Sequence, residues 1–128
     1  MIRQGGYHME QYKLGEMEQR LADLIWNHEP ISSRTLTELC AREFGWKRTT
    51  AYTMLKRLSE RSIFKNQNGI VIALMSKDEF RVGQGKEFLK ETFEGSLPQF
   101  LASFIRHNKL SETEINEIQR LIDEHKEE

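Results

Sequence analysis

The residues best placed to do chemistry lie in one short segment, Gly45 to Leu58. At a helical period, one face of this segment carries hydroxyls, an aromatic ring and a cation, from Thr49, Tyr52, Thr53 and Lys56. The opposite face is apolar and consists of Ala51, Met54, Leu55 and Leu58. Cations bind phosphates, short polar groups hydrogen-bond base edges, and methyl groups contact thymine. The segment therefore predicts a helix that packs one face into a core and presents the other to a DNA major groove. An ordinary solvated amphipathic helix has the same pattern.

Charge is unevenly distributed along the 128 residues, whose formal net charge is −1. Residues 47–65 carry 6 basic and 1 acidic side chains, a local charge of 6 − 1 = +5. Residues 77–128 carry 8 basic and 12 acidic side chains, which gives 8 − 12 = −4. A local concentration of cations attracts a polyanion better than overall charge indicates. We therefore expect the DNA-binding surface near residues 47–65 and not in the acidic residues 77–128.

The candidate DNA-binding residues fall into three groups. Phosphate contacts are expected from Lys47, Arg48, Lys56, Arg57 and Lys65, although Arg57 is also placed for an ion pair with Glu60. Base-edge or sugar-phosphate contacts are expected from Thr49, Tyr52 and Thr53, and Thr50 is included although it lies nearer the apolar stripe. Ser32 and Arg34, at the start of the preceding helix, are placed to meet a phosphate through free backbone N–H groups. Capping alone also explains Ser32.

No pattern typical of an enzyme is present, so we expect no catalytic residue, no metal site and no cofactor. The sequence lacks H-E-x-x-H, C-x-x-C, P-loop and G-x-S-x-G motifs, and its four histidines show no metal-ligand spacing. A single cysteine, Cys40, cannot form a disulfide within the chain, which fits a reducing cytoplasm. No apolar run approaches the roughly 20 residues of a membrane span, and we expect no direct membrane association.

The elements around the segment predict a winged helix-turn-helix domain over residues 12–76. A first helix shows an apolar stripe that continues to Ile25, and Pro30 ends it. A second helix starts after the N-cap Ser32 and ends at Gly45, only a few residues before the third. After the third helix, β-branched segments flank Asn68-Gly69, which indicates a two-stranded hairpin.

Residues 77–128 predict three further helices, opened by Ser76, Ser96 and Ser111 as N-caps. Three short helices without a sheet bury little apolar surface alone, so a dimerisation domain is favoured over a monomeric cap. The fold class is therefore mainly α. The candidate interface residues are Phe93, Leu97, Phe100, Leu101, Phe104, Ile105, Ile115, Ile118 and Ile122. Residues 1–11 carry no pattern and are interpreted as a disordered tail or an expression remnant.

Several motifs in order and spacing resemble the penicillinase repressor family of transcriptional regulators. The first is Thr49-Thr50-Ala51-Tyr52-Thr53-Met54-Leu55-Lys56-Arg57-Leu58, similar to the family's recognition helix, T-T-hydrophobic-x-T-hydrophobic-hydrophobic-x-R-L. Leu24-Ile25-Trp26 resembles its first helix, and the segments at 95–101 and 110–115 resemble its C-terminal helices. The resemblance covers about residues 12–124.

The resemblance implies a homodimeric repressor that binds an inverted-repeat operator on double-stranded DNA. It also implies a possible partnership with a membrane sensor peptidase that cuts the repressor just before a phenylalanine, here at the Ser103–Phe104 bond. Well-known members carry Asn before that Phe, and the paired C-x-C motifs of the copper-responsive branch are absent here. Two alternatives are a winged-helix regulator released by a small-molecule ligand and a winged-helix protein-interaction module.

Overall fold

The computed structural model describes residues 11–128 of the chain. The tail expected at residues 1–11 lies, except for Gln11, outside the described residues. The elements follow in the order α1 (Glu16–His28), β1 (Ile31–Ser32), α2 (Ser33–Phe44), α3 (Arg48–Glu60), β2 (Phe64–Gln67), β3 (Ile70–Ala73), α4 (Lys77–Phe93), α5 (Leu97–His107) and α6 (Glu112–Lys126). This order is that of a mainly helical winged helix followed by a helical C-terminal part, as the sequence predicts.

Two local signals fix the short turn between α2 and α3. Ser32 caps α2, and its hydroxyl accepts a hydrogen bond from the Thr35 amide at 3.0 Å. Gly45 ends α2 in the left-handed region, with φ of +70°, and its N–H donates to the Ala41 carbonyl. The chain then re-enters a helix at Arg48. The predicted N-cap and the predicted C-terminal glycine are both confirmed.

The sheet has three strands, in the order β1-β3-β2, whereas the sequence predicted only a two-stranded hairpin. The expected hairpin joins β2 to β3 through Asn68 and Gly69, both with positive φ. The additional strand, β1, pairs antiparallel with β3, with Ile31 opposite Val71 and Ser32 opposite Ile70. Two residues are too few to show an alternating pattern, so this strand could not be recognised in the sequence.

The core of the winged helix fixes the rotation of α3. The four apolar residues predicted to form its inner face, Ala51, Met54, Leu55 and Leu58, are all buried. They pack in one cluster with residues of the other elements, including Leu21, Ile25, Leu36, Ile63, Phe64, Val71 and Phe80. The opposite face of α3 is consequently directed away from the core.

The chain divides into two compact units, one ending at Glu87 and the other starting at Phe88. The change of unit falls within α4, whereas the sequence placed a domain boundary between residues 76 and 77. The start of α4 groups with the winged helix because Phe80 is buried in its core, 5.4 Å from Trp26 between ring centroids. Ser76 caps this helix in the predicted capping box with Glu79.

The second unit contains the end of α4 together with α5 and α6. Its aromatic rings Phe88, Phe93, Phe100 and Phe104 contact one another at centroid distances of 5.4–6.0 Å. Ser111 caps α6 in the predicted capping box with Glu114. Neither α5 nor α6 contains a buried residue. No helix within residues 11–128 is long and apolar enough to cross a membrane.

Candidate nucleic-acid interface

The outer face of α3 is exposed and cationic. Lys47, its N-cap residue, and the helical residues Arg48, Lys56 and Arg57 are all exposed, and Lys65 is exposed on β2. None of these five cations forms an ion pair with another residue of the described range 11–128. The alternative ion pair between Arg57 and Glu60 is thus not formed among these residues. Unpaired, exposed cations are the groups that exchange counterions for phosphates.

Tyr52 lies on this face but is half-buried, and its side chain contacts Ser33 at the start of α2 and Arg48 of its own helix. The Tyr52 hydroxyl donates to Ser33 Oγ over 3.5 Å, and the Arg48 guanidinium lies 5.7 Å from the Tyr52 ring centroid. The Ser33 hydroxyl can donate instead to the phenolate, and this hydrogen bond, followed by the interaction with Arg48, lowers the pKa of the Tyr52 phenol below its ordinary value. The Ser33 amide in turn donates to the carbonyl of Gly69 at the hairpin turn, at 2.8 Å. Tyr52 therefore links α3 to the start of α2 and, through it, to the hairpin, a role that the sequence did not indicate.

Thr49 and Thr53 supply the exposed hydroxyls of the face, and Thr50 is half-buried beside them. The Thr53 hydroxyl donates to the Thr49 carbonyl at 2.9 Å, which commits its proton to the helix. Its oxygen lone pairs and its methyl group remain directed away from the core. Towards a base edge, this Thr53 side chain can therefore accept a hydrogen bond or make an apolar contact.

A groove of about 550 Å³ separates α3 from the hairpin. Lys56 lines one wall and Lys65 the other, and the apolar side chains of Leu55, Phe64 and Leu74 lie between them. Two ammonium groups flanking an apolar floor suit an anion that carries an apolar body, such as the sugar-phosphate of a nucleic acid. The single cation of the hairpin thus lies beside the cations of α3.

The start of α2 is largely occupied by internal hydrogen bonds. Ser32 accepts from the Thr35 amide, and the Ser33 amide donates to Gly69. Arg34 pairs with Glu38 at 3.8 Å between Nε and the carboxylate, and its side chain is 86% exposed to solvent. Capping accounts for Ser32, while Arg34 remains available to a phosphate.

Other groups that the sequence left open have structural roles. Cys40 is fully buried, and its burial raises the pKa of the thiol to about 11, so that it stays protonated at neutral pH. Within residues 11–128, no group of three or more His, Cys, Asp or Glu side chains is arranged to hold a metal ion. Glu18, which the sequence did not single out, is buried and lies 3.3 Å from the guanidinium of Arg61.

The candidate dimer residues lie in the second unit, and several are exposed. Leu97, Ile105 and Ile115 are each at least 50% exposed, and Phe104 and Ile122 are more than 40% exposed. Phe93, Phe100, Leu101 and Ile118 are half-buried. Phe88 and Leu121 are also exposed apolar residues of this unit, although neither was among the interface residues predicted from the sequence.

The candidate cleavage bond, Ser103–Phe104, lies inside α5. The Ser103 carbonyl is within hydrogen-bond distance of His107 Nδ1, at 3.0 Å, and the Ser103 hydroxyl accepts from Arg106 at 3.1 Å. The Phe104 side chain is 41% exposed. The side chain is therefore accessible while the peptide bond is held in helical geometry.

Two comparisons with known proteins agree with this architecture. The sequence model of the family described as "Penicillinase repressor" matches residues 14–124. The penicillinase repressor of Bacillus licheniformis is 24% identical over 118 residues, covering 89% of this chain and 92% of that protein.

Proposed function

This chain belongs to the penicillinase repressor family, whose members are DNA-binding transcriptional repressors, and we propose that it binds an inverted-repeat operator as a homodimer. In this proposal α3 lies in the major groove and the hairpin lies beside the sugar-phosphate backbone. A two-fold dimer would place two copies of α3 on the two halves of a palindrome. A protein with this role is located in the cytoplasm, where the DNA is.

The observation that carries the proposal is the outer face of α3. Apart from Glu60 at its end, its exposed side chains are cations and threonines, and the cations have no ion-pair partner among residues 11–128. A solvated helix whose role is only structural gains stability from pairs of opposite charge three or four residues apart. Such pairs occur on α1, α2 and α6, at Arg20–Glu16, Arg34–Glu38 and Arg120–Glu124. Their absence on α3 supports an external anionic partner for this helix.

The exposed apolar surface of the second unit supports the homodimer. An isolated protomer leaves the side chains of Leu97, Ile105, Ile115 and Leu121 at least half exposed. Burying a side chain of this type contributes roughly 1.5–3 kcal/mol. Pairing with an identical copy would remove this surface from water and produce the symmetry that a palindrome needs.

Release by cleavage at Ser103–Phe104 is part of the proposal, with a sensor peptidase as the partner. The bond lies well inside α5, which ends at His107, so a peptidase would need the local unfolding of the surrounding turns before cutting. Neither α5 nor α6 has a buried residue to oppose such opening within one protomer. Cleavage would then divide the surface on which the dimer depends.

The proposal is tested by measuring DNA affinity as a function of salt. Operator sequences are first selected from random duplexes with the full chain, and their binding is followed by fluorescence anisotropy. A dimer that contacts several phosphates loses roughly three or more orders of magnitude in affinity between about 50 and 200 mM salt. We expect Arg48→Ala combined with Lys56→Ala to weaken binding to all sequences and to make the salt dependence less steep.

The matched control is Arg20→Ala, which removes an exposed arginine of α1 that is paired with Glu16. This variant should bind like the parent. Binding that is independent of salt, or equal effects of the α3 and α1 substitutions, would refute the proposed interface.

A further inference from the structure

The segment Gln11–Leu14, here called the N-terminal strap, is attached to the end of α3. Gln11 Nε2 donates to the carbonyl of Arg61, the C-cap residue of α3, at 3.0 Å. The Arg61 guanidinium donates back to the carbonyl of Lys13 and pairs with the buried carboxylate of Glu18 at 3.3 Å. Both the backbone carbonyl and the side chain of Arg61 therefore hydrogen-bond to the strap, and these bonds attach the strap to the end of α3.

The same strap is attached to α4 by a second set of contacts. The Tyr12 ring packs against Phe80 at a centroid distance of 5.5 Å, and Gln84 Nε2 donates to the Tyr12 carbonyl at 3.1 Å. Between these two residues of α4 lies Gly83, which is buried under the Tyr12 ring. A Cβ atom at Gly83 would overlap that ring, with Tyr12 Cδ1 only 2.7 Å away. The absence of a side chain at Gly83 is therefore what lets the strap lie against α4.

We propose that the N-terminal strap, seated on Gly83, fixes the angle between α3 and α4 and thereby sets the half-site spacing that the repressor recognises. Apart from the strap, α4 contacts the winged helix through Phe80 and through the ion pair of Lys77 with Asp23 at 3.2 Å. Val82 and Lys86, further along the helix, are exposed. Both of these anchors lie in the first turn of α4, so they leave the direction of the rest of the helix weakly fixed. The strap adds a hydrogen bond and an aromatic surface one turn further along α4.

The consequence for spacing rests on the proposed function, in which two protomers pair through the second unit. The chain enters that unit along α4 without interruption, because the helix runs from Lys77 to Phe93. The direction in which α4 leaves the winged helix then determines where the second α3 of the dimer lies. Half-sites read by such dimers are separated by a defined number of base pairs, so a change in this direction alters the preferred spacing.

The first experiment measures the angle without DNA. Spin labels are attached at Lys56→Cys on α3 and Lys86→Cys on α4, on a Cys40→Ala background, and labelled protein is diluted with unlabelled protein. Gly83→Ala is expected to shift or broaden the label distance beyond the width of the parent distribution. Gly85→Ala is the matched control, because it is the same substitution on the same helix and a Cβ there meets nothing within 4 Å. It should give the parent distribution.

The second experiment measures binding to operators whose half-sites are separated by different numbers of base pairs, using variants without spin labels. Gly83→Ala should lose at least tenfold in affinity at the parent's preferred spacing, or prefer a different spacing. Its affinity for a single half-site should stay within twofold of the parent. Gln84→Ala removes only the hydrogen bond to Tyr12 and should change spacing preference in the same direction but less. Because Gln84→Ala does not place a side chain under the Tyr12 ring, this variant still tests the proposal if Gly83→Ala does not fold.

The outcomes separate this inference from the proposed function. If the parent binds no DNA, the proposed function fails, and the spin-label distances still decide whether the strap fixes the angle. If Gly83→Ala and Gln84→Ala match Gly85→Ala in both distance and spacing, the strap has no positioning role. A changed distance with an unchanged spacing preference would overturn the link between this angle and operator choice.

Discussion

A hydroxyl whose proton is already committed can only accept a hydrogen bond, and Thr53 is in this situation. Its O–H donates to the Thr49 carbonyl within α3, so its oxygen presents lone pairs to the solvent. In the major groove, the exocyclic amines of adenine and cytosine donate, whereas guanine O6 and thymine O4 accept. Thr53 should therefore favour adenine or cytosine through its oxygen, or thymine through its methyl group.

Two substitutions, each of which removes one of the two groups, distinguish these contacts. Thr53→Val keeps the shape and the methyl group but lacks the acceptor, and it should reduce discrimination for adenine or cytosine by about 1 kcal/mol, roughly fivefold. Thr53→Ser keeps the acceptor and lacks the methyl group, so it should reduce discrimination for thymine. Binding to operators varied at each base measures both effects. If Thr53→Val and Thr53→Ser both show the parent's preference at every position, Thr53 does not contact a base.

At the residue scale, the sequence predicted which side chains are exposed but not which partners they have. The 3.6-residue period identified the exposed face of α3 because burial follows that period. The hydrogen bond from Tyr52 to Ser33 and the ion pair of Glu18 with Arg61 join residues 19 and 43 positions apart along the chain. Such pairs depend on how elements pack, and no local pattern encodes them. The sequence predicts a base-edge or sugar-phosphate contact for Tyr52, and its hydrogen bond to Ser33 is a further contact that the sequence does not reveal.

At the element scale, the turn between α2 and α3 depends on the backbone freedom of Gly45. Its φ of +70° is a conformation in which a Cβ atom is crowded by its own backbone, at a cost of roughly 1–2 kcal/mol. Gly45→Ala should lower the free energy of unfolding by about that amount. Nothing lies within 4 Å of the added Cβ, so the backbone conformation alone causes the loss.

Gly85→Ala supplies a comparison of opposite sign. Gly85 lies inside α4, where alanine is more favourable than glycine by up to about 1 kcal/mol, and its added Cβ also meets nothing within 4 Å. Urea unfolding followed by the fluorescence of Trp26 and Trp46, both in the first unit, measures the two variants. Equal effects of the two substitutions would show that the left-handed conformation of Gly45 does not limit stability.

The elements themselves were more predictable than the sheet that joins them. Caps at Ser32, Ser76 and Ser111 are local, since each hydroxyl accepts from an amide three residues away. Strand β1 has no such signal, because Ile31 and Ser32 become a strand only by pairing with Val71 and Ile70. Register across 40 residues is set by the folded chain, so sequence periodicity cannot reveal it.

At the scale of the whole molecule, the two units differ in how much apolar surface each buries by itself. Among its described residues, the first unit encloses fifteen buried hydrophobic side chains, all between Leu21 and Phe80. The second has no buried residue on α5 or α6 and leaves apolar side chains on both helices half exposed. Winged-helix stability and second-unit association should therefore respond to different substitutions.

Ile105→Asp tests the association directly. Ile105 is 51% exposed within one protomer, so a charge there should disturb the protomer little. In a dimer that buries this face, the carboxylate would lose its hydration without gaining a partner, at a cost of about 3 kcal/mol or more. The dissociation constant should then rise by roughly a hundredfold or more. Sedimentation velocity across a concentration series measures this change.

The control for that experiment is Gln99→Asp, which places the same charge on the same helix but on the side opposite the apolar stripe. Gln99 is exposed, and at about 100° per residue it lies on the far side of α5 from Leu97, Leu101 and Phe104. The control should sediment like the parent. If Ile105→Asp also remains a dimer at low micromolar concentration, the two-fold interface does not include this face of α5. The direction of α4 would then set half-site spacing only if the protomers associate through another surface.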